Sequence, residues 1–334
     1  MYQQREIFHL YELQPLLEKA GLKRNGDTDF TLGLYDGSRL VATGSIRDSI
    51  VQMVAVDPDY QGEGLAAKVV SALLSRASYE GWLPLYLFTK PENAQTFSAL
   101  GFRLVTAAPP YAALLEYGSP NIRDFCRRLQ TFRRPGSGSA LVMNCNPFTL
   151  GHRYLVEQAA AQSENLYLFV VEEDRSVFPF RDRLELVRQG TADLSNVVVI
   201  PGGRYIISGL TFPSYFTKEE NLARAHATLD AAIFRDHIAP ALDIRRRFVG
   251  TEPFSPTTAV YNRVLEESFR ESNLSLTELP RIEKDGTAIS ASRVRSLLKE
   301  GRTQEAEALV PNTTARYLRS PAGQKVIAQL KSGR

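Results

Sequence analysis

The stretch Asn144-Cys145-Asn146-Pro147-Phe148-Thr149-Leu150-Gly151-His152 decides the reading of this chain. It follows the apolar run Ala140-Leu141-Val142-Met143 and precedes a helical pattern over 151–161, so it joins a strand to a helix. In an open α/β sheet the ligand crevice lies at that carboxyl edge. Backbone N–H groups at the helix N-terminus point into it, and the helix dipole favours an anion there. Gly151 permits close approach of backbone to a phosphate, and Thr149 offers a hydroxyl. His152 adds an imidazole that can donate to a phosphoryl oxygen as charge builds in a transition state. A plain helix cap at Thr149 would account for the same threonine without any ligand.

Downstream, strand and helix alternate. Strands are expected over 166–171, 197–200, 247–250 and 274–279, with helices over 180–190 and 218–237. That rhythm predicts a doubly wound parallel sheet with right-handed crossovers. Near its end, Ile289-Ser290-Ala291-Ser292-Arg293-Val294-Arg295 opens another helix with two hydroxyls in its first turn. Ser290 can be a simple N-cap. Hydroxyls, a helix N-terminus and arginine together also make a receptor for a polyphosphate leaving group. Between the two motifs, Arg181 and Arg183 sit at a helix start on the sheet's working edge. Either could meet a carboxylate or phosphate, or merely bridge to Asp182 or Glu185.

Upstream, Arg133-Arg134-Pro135-Gly136-Ser137-Gly138-Ser139 is a flexible run without core-forming residues. The expected organisation is a first domain over 1–118, a linker over 119–139 and a second domain over 140–334. The first domain opens with a hairpin, Phe30 to Tyr35 and Arg39 to Thr43 about Asp36-Gly37. A strand (50–56), a helix (65–79), a strand (83–89) and a short helix (92–100) follow.

A chain of 334 residues exceeds one typical domain. Its net charge of +3 gives no reason to expect nucleic acid as partner. Two cysteines and four histidines form neither a disulfide framework nor a zinc pattern, which suits a reducing cytoplasm. No stretch approaches the roughly 18 apolar residues of a membrane span, and no signal peptide is expected.

Asn-Pro-Phe-Thr-x-Gly-His, followed by Ile-Ser-x-Ser-x-x-Arg, resembles the paired signatures of the HxGH/TxGH nucleotidyltransferases. Thr149 and His152 match the first; Ser290, Ser292 and Arg295 match the second. Asn146 stands where cofactor-making members usually carry Asp. Gly250-Thr251-Glu252 resembles the family's adenine-side Gly-x-Asp loop, with Glu252 replacing Asp. Gln61-x-x-Gly64-x-Ala66, with Gly62 inside it, resembles the coenzyme A pyrophosphate loop of the GNAT acetyltransferase fold. Asn93 to Phe102 resembles that fold's downstream helix. No convincing base for amine acetylation stands out; Tyr111 and Tyr117 are the candidates.

A GNAT-like domain ahead of a TxGH domain resembles the citrate lyase ligases over essentially the whole chain. The resemblance implies a mixed GNAT-like sheet followed by a Rossmann-like parallel sheet. It implies that ATP, carrying Mg²⁺, activates acetate as acetyl adenylate. The acetyl group would then pass to the thiol of the phosphoribosyl-dephospho-coenzyme A group on citrate lyase's acyl carrier subunit, releasing AMP and pyrophosphate. His152, Thr149 and Arg295 are the implied catalytic residues. Asn146, Pro147, Phe148, Gly151, Gly250, Glu252, Ile289, Ser290 and Ser292 would hold ATP, and Arg181 or Arg183 the second substrate. Phe148, Arg181 and the 205–208 and 212–215 segments are candidates for the acetate pocket. Gln61, Gly62, Gly64, Ala66 and Asn93 would receive the coenzyme A-like arm. Two alternatives stay open: an adenylyltransferase of cofactor biosynthesis, and a GNAT acetyltransferase with a regulatory nucleotide-binding domain.

Overall fold

A computed structural model of the protein describes residues 2–172, 176–206, 219–251, 256–270, 272–284 and 286–332. The chain divides into two compact units, Met1–Phe125 with Phe212–Ile233, and Cys126–Thr211 with Phe234–Arg334.

The first unit is built on seven strands: β1 (Gln3–Glu6), β2 (Phe30–Asp36), β3 (Arg39–Arg47), β4 (Ile50–Val56), β5 (Leu85–Thr89), β6 (Arg103–Ala108) and β7 (Ala112–Tyr117). Their order is β1-β2-β3-β4-β5-β7-β6, antiparallel except for β4 beside β5. Its helices include α1 (Gln14–Lys19), α2 (Leu65–Glu80) and α3 (Ala94–Ala99). The apolar stripe Leu65, Val69, Leu73 and Ala77 of α2 is buried against Leu32, Val41 and Ile46 of the sheet. Gly44 on β3 makes room for it, since a Cβ there would stand 2.7 Å from Val69 and 2.9 Å from Leu73. In β4 one extra residue bulges out opposite β3, and Met53 takes a positive φ of 53°. Beyond that bulge β4 leaves β5, which it pairs only at Ile50 and Val51.

Helix α4 (Ile122–Gln130) leads into the second unit. There β8 (Gly138–Met143), α5 (Leu150–Ala161), β9 (Asn165–Val170), α6 (Phe180–Gly190) and β10 (Val197–Pro201) alternate as the sequence predicts. Helix α7 (Glu219–Ile233) then packs on β6 and β7 of the first unit. The helical run expected to reach His237 changes at Phe234–Ile238 into a π-helical segment. After α8 (Ala239–Leu242) come β11 (Ile244–Gly250), α9 (Pro256–Arg270) and β12 (Ser275–Leu279). The five strands are all parallel, in the order β10-β9-β8-β11-β12. Succession runs one way from β8 and the other way from β11, so the topological switch point lies between those two strands. A short hairpin, β13 (Glu283–Lys284) and β14 (Thr287–Ala288), leads to α10 (Ala291–Lys299), α11 (Thr303–Glu307), α12 (Asn312–Arg319) and α13 (Pro321–Ser332). These helices close over Phe178, Ile289, Val294, Leu309 and Val326. Among the described residues no helix is long and apolar enough to cross a membrane.

Candidate active site

The loop from β8 to α5 leaves the sheet at the switch point. Thr149 is the N-cap of α5: its Oγ1 accepts the His152 N–H at 3.3 Å. The return bond of this capping box comes from an imidazole rather than the usual Glu or Gln. The Thr149 N–H donates to His152 Nδ1 at 3.1 Å, and Thr149 Oγ1 lies 3.0 Å from the same nitrogen. A backbone N–H can only donate, so Nδ1 presents its lone pair and the neutral ring carries its proton on Nε2. Burial pushes the imidazole down to about 4, helped by the nearby Arg281 and Arg295 cations. His152 is therefore a neutral donor near pH 7. Phe148, fully buried, stacks beneath it with ring centroids 6.0 Å apart.

Of the first four backbone donors of α5, three are already used. Thr149 N–H goes to His152, His152 N–H to Thr149, and Leu150 N–H to the Leu309 carbonyl at 2.9 Å. Gly151 N–H has no partner among the described residues. Gly151 itself lies against the second motif, because a Cβ there would collide with the Ile289 carbonyl oxygen. Its missing side chain thus seats α5 against the Ile289–Ser290 backbone, a closer reason for glycine than approach to a ligand. The Ile289 N–H is tied to the Ile282 carbonyl at 3.1 Å.

Ser290 caps α10 by accepting the Arg293 N–H at 3.1 Å. Arg295 reaches back to the first motif: one terminal nitrogen donates to the Asn146 carbonyl at 2.5 Å, the other to Ser292 Oγ at 3.2 Å. No carboxylate pairs with it among the described residues, and burial lowers its pKa from the ordinary value. A guanidinium keeps its charge even so. Asn146 Oδ1 accepts the Phe178 N–H at 3.1 Å, and Pro147 is buried.

The two arginines of α6 separate cleanly. Arg183 is fully buried and donates to the carbonyls of Phe178 (3.0 Å), Asn144 (2.6 Å) and Val171 (2.9 Å), and to Asn144 Oδ1 (2.7 Å). It braces the ends of β8 and β9 and presents no donor outward through those contacts. Arg181 is exposed and has no partner among the described residues. Gly250 ends β11, next to β12 through its pairing with Leu279. Glu252 lies outside the described residues, as do residues 207, 208 and 212–215; Tyr205 is buried.

Sequence reading passed over Arg281. It follows β12 at the sheet's carboxyl edge, and its Nε donates to the Thr251 carbonyl at 2.7 Å. The available signal was positional: an arginine two residues beyond a strand that ends at the working edge.

In the first unit, the divergence of β4 and β5 opens a cleft of about 380 Å³ lined by Gln52, Val54, Gln61, Thr89, Lys90 and Asn93, among others. Gln61 and Asn93 thus meet at one site. Gly62 and Gly64 have φ of 86° and 71°, a left-handed conformation that glycine adopts at no steric cost. Gly64 is the N-cap of α2 and offers no side chain to its free N–H groups; Ala66 lies in the first turn.

A parallel sheet that carries a capped, neutral histidine and an arginine at the carboxyl edge by its switch point has the layout of a nucleotidyltransferase-type domain. Residues 138–318 match the family described as citrate lyase ligase C-terminal domain, and residues 11–112 match the acetyltransferase (GNAT) domain. The chain belongs to the citrate lyase ligase family and is an enzyme of the ligase class. It is 45% identical to the citrate (pro-3S)-lyase ligase of Klebsiella pneumoniae over 308 residues, covering 90% of each chain. It is 38% identical to that of Escherichia coli (92% of this chain, 90% of the relative) and to that of Haemophilus influenzae (92% and 94%). These relatives favour neither the cofactor adenylyltransferase nor the amine acetyltransferase.

Proposed function

We propose that the second unit uses ATP to activate acetate, and that the acetyl group passes to a thiol on citrate lyase's acyl carrier subunit. That thiol belongs to a phosphoribosyl-dephospho-coenzyme A group. In the first step an acetate oxygen attacks the α-phosphorus, the bond to the bridging oxygen of the β-phosphate breaks, and pyrophosphate leaves. In the second, the thiolate attacks the acyl carbon of acetyl adenylate, the carbon–oxygen bond to the phosphate breaks, and AMP leaves. No protein nucleophile is needed; the work is positioning and charge stabilisation.

The observation that carries this reading is the neutral His152 with its proton on Nε2. Such a donor can follow negative charge from the α-phosphate to the bridging oxygen without losing a proton to it. Thr149 sets the ring's tautomer and orientation. Arg295, Ser290 and Ser292 receive the β- and γ-phosphates, with Mg²⁺ arriving on the nucleotide. Asn146, Gly250 and Glu252 belong to the nucleotide's side, and exposed Arg181 suits the acetate carboxylate. The cleft lined by Gln61 and Asn93, with Gly62, Gly64 and Ala66 on the loop and helix start that follow Gln61, binds the coenzyme A-like arm.

The test is exchange of labelled pyrophosphate into ATP with no carrier present. Exchange that requires acetate is expected, with free AMP appearing only once the carrier is added. Exchange independent of acetate, or AMP retained covalently on a product, would overturn the reading.

A further inference from the structure

Arg281 belongs to neither signature motif, yet the fold delivers it to the same place. Leu279 of β12 pairs beside Gly250 of β11, so two residues later the chain is still at the carboxyl edge. The bond from Nε to the Thr251 carbonyl holds the guanidinium beside Gly250, where a Cβ would stand 3.8 Å from Nε. One residue on, the Ile282 carbonyl holds the Ile289 N–H. The segment that carries Arg281 therefore also fixes the backbone against which Gly151 packs. Both Arg281 and Arg295 disfavour protonation of His152. Two guanidinia about one neutral N–H donor form a receptor for an anion carrying more than one charge.

We propose that Arg281 is a further catalytic residue whose guanidinium contacts a phosphate of the nucleotide, alongside His152 and Arg295. The proposal rests on the ATP reading above. Its competitor is a purely structural arginine that braces the turn at Thr251. The two differ in what they recognise: a phosphate contact distinguishes ATP from adenosine, and a brace does not.

Calorimetric dissociation constants for ATP and for adenosine on the full chain separate them, with the His152 imidazole titrated by NMR. Arg281→Gln keeps a donor but removes the charge. It is expected to weaken ATP at least tenfold, to leave adenosine within twofold, and to move the His152 titration to higher pH. Arg281→Lys should retain part of the ATP affinity and keep His152 titrating low. Equal weakening of ATP and adenosine in both variants would assign Arg281 to the brace. ATP binding within twofold of wild type in Arg281→Gln would end the proposal as well. A wild-type chain that binds ATP no better than adenosine would instead overturn the ATP reading itself, and the two failures are distinguishable.

Discussion

At the scale of single residues, the unusual feature is that a histidine closes a capping box. The Thr149 cap is worth about 1 kcal/mol to its helix, and the same bonds decide which nitrogen of His152 carries the proton. Because burial and two cations push His152 down to about 4, its folded value lies below the ordinary histidine value near 6.5. The unfolded chain therefore binds more protons between those limits, and this residue's contribution to stability falls as pH drops through that window. The catalytic corollary is that acetate-dependent pyrophosphate exchange should show no loss assignable to His152 between pH 6 and pH 8. An acidic limb near 6.5 that disappears in a His152→Gln variant would contradict the neutral donor. His152→Ala should fold yet lose on the order of 10²-fold in exchange rate, the scale for one preorganised donor. Thr149→Ser, which keeps the cap and the hydroxyl, should retain most of the rate, while Thr149→Val should not.

At the scale of elements, α6 shows how far a pattern can be read. The helix and its two arginines were legible from periodicity and position, but their roles were not. Burial depends on which carbonyls end the neighbouring strands, and those carbonyls are far away in sequence. Arg183→Met should leave the acceptors at Asn144, Val171 and Phe178 without their donor, at about 1–3 kcal/mol for each group left unsatisfied. Arg181→Ala should stay within about 0.5 kcal/mol of wild type in denaturant midpoint, as exposed substitutions do. It should instead raise the KM for acetate. The reverse pattern, with Arg181 governing stability and Arg183 only KM, would refute this division. Gly151 teaches the same lesson: its position in the motif was plain, but the reason for glycine is the Ile289 carbonyl, supplied by a segment about 140 residues away. Gly151→Ala should cost about 1–3 kcal/mol through overpacking and displace Ser290 from α5.

At the scale of the whole molecule, sequence rhythm disclosed the parallel sheet because β8, β9 and β10 are short, largely apolar runs alternating with α5 and α6, helices of ordinary length. It did not disclose that α7 packs on β6 and β7, since its apolar face looks the same whichever sheet receives it. The glycines at 62 and 64 were legible as a loop, whereas the cleft behind them depends on the β4 bulge at Met53, for which no local pattern exists. That cleft poses the remaining functional question, why a ligase carries a GNAT-fold unit. A unit that grips the coenzyme A-like arm should matter only for the second half-reaction. Gly64 has a φ of 71° and open space where a side chain would stand, so Asp and Asn bring similar backbone strain and differ chiefly in charge. Aspartate there places a negative charge at the start of α2, against the phosphates the loop would receive. Gly64→Asp should therefore raise the KM for the carrier thiol at least tenfold while acetate-dependent pyrophosphate exchange stays near wild type; Gly64→Asn should raise it much less. Equal effects of Asp and Asn would point to strain alone. A folded Gly64→Asp chain that acetylates the carrier with unchanged KM would remove this unit from thiol delivery.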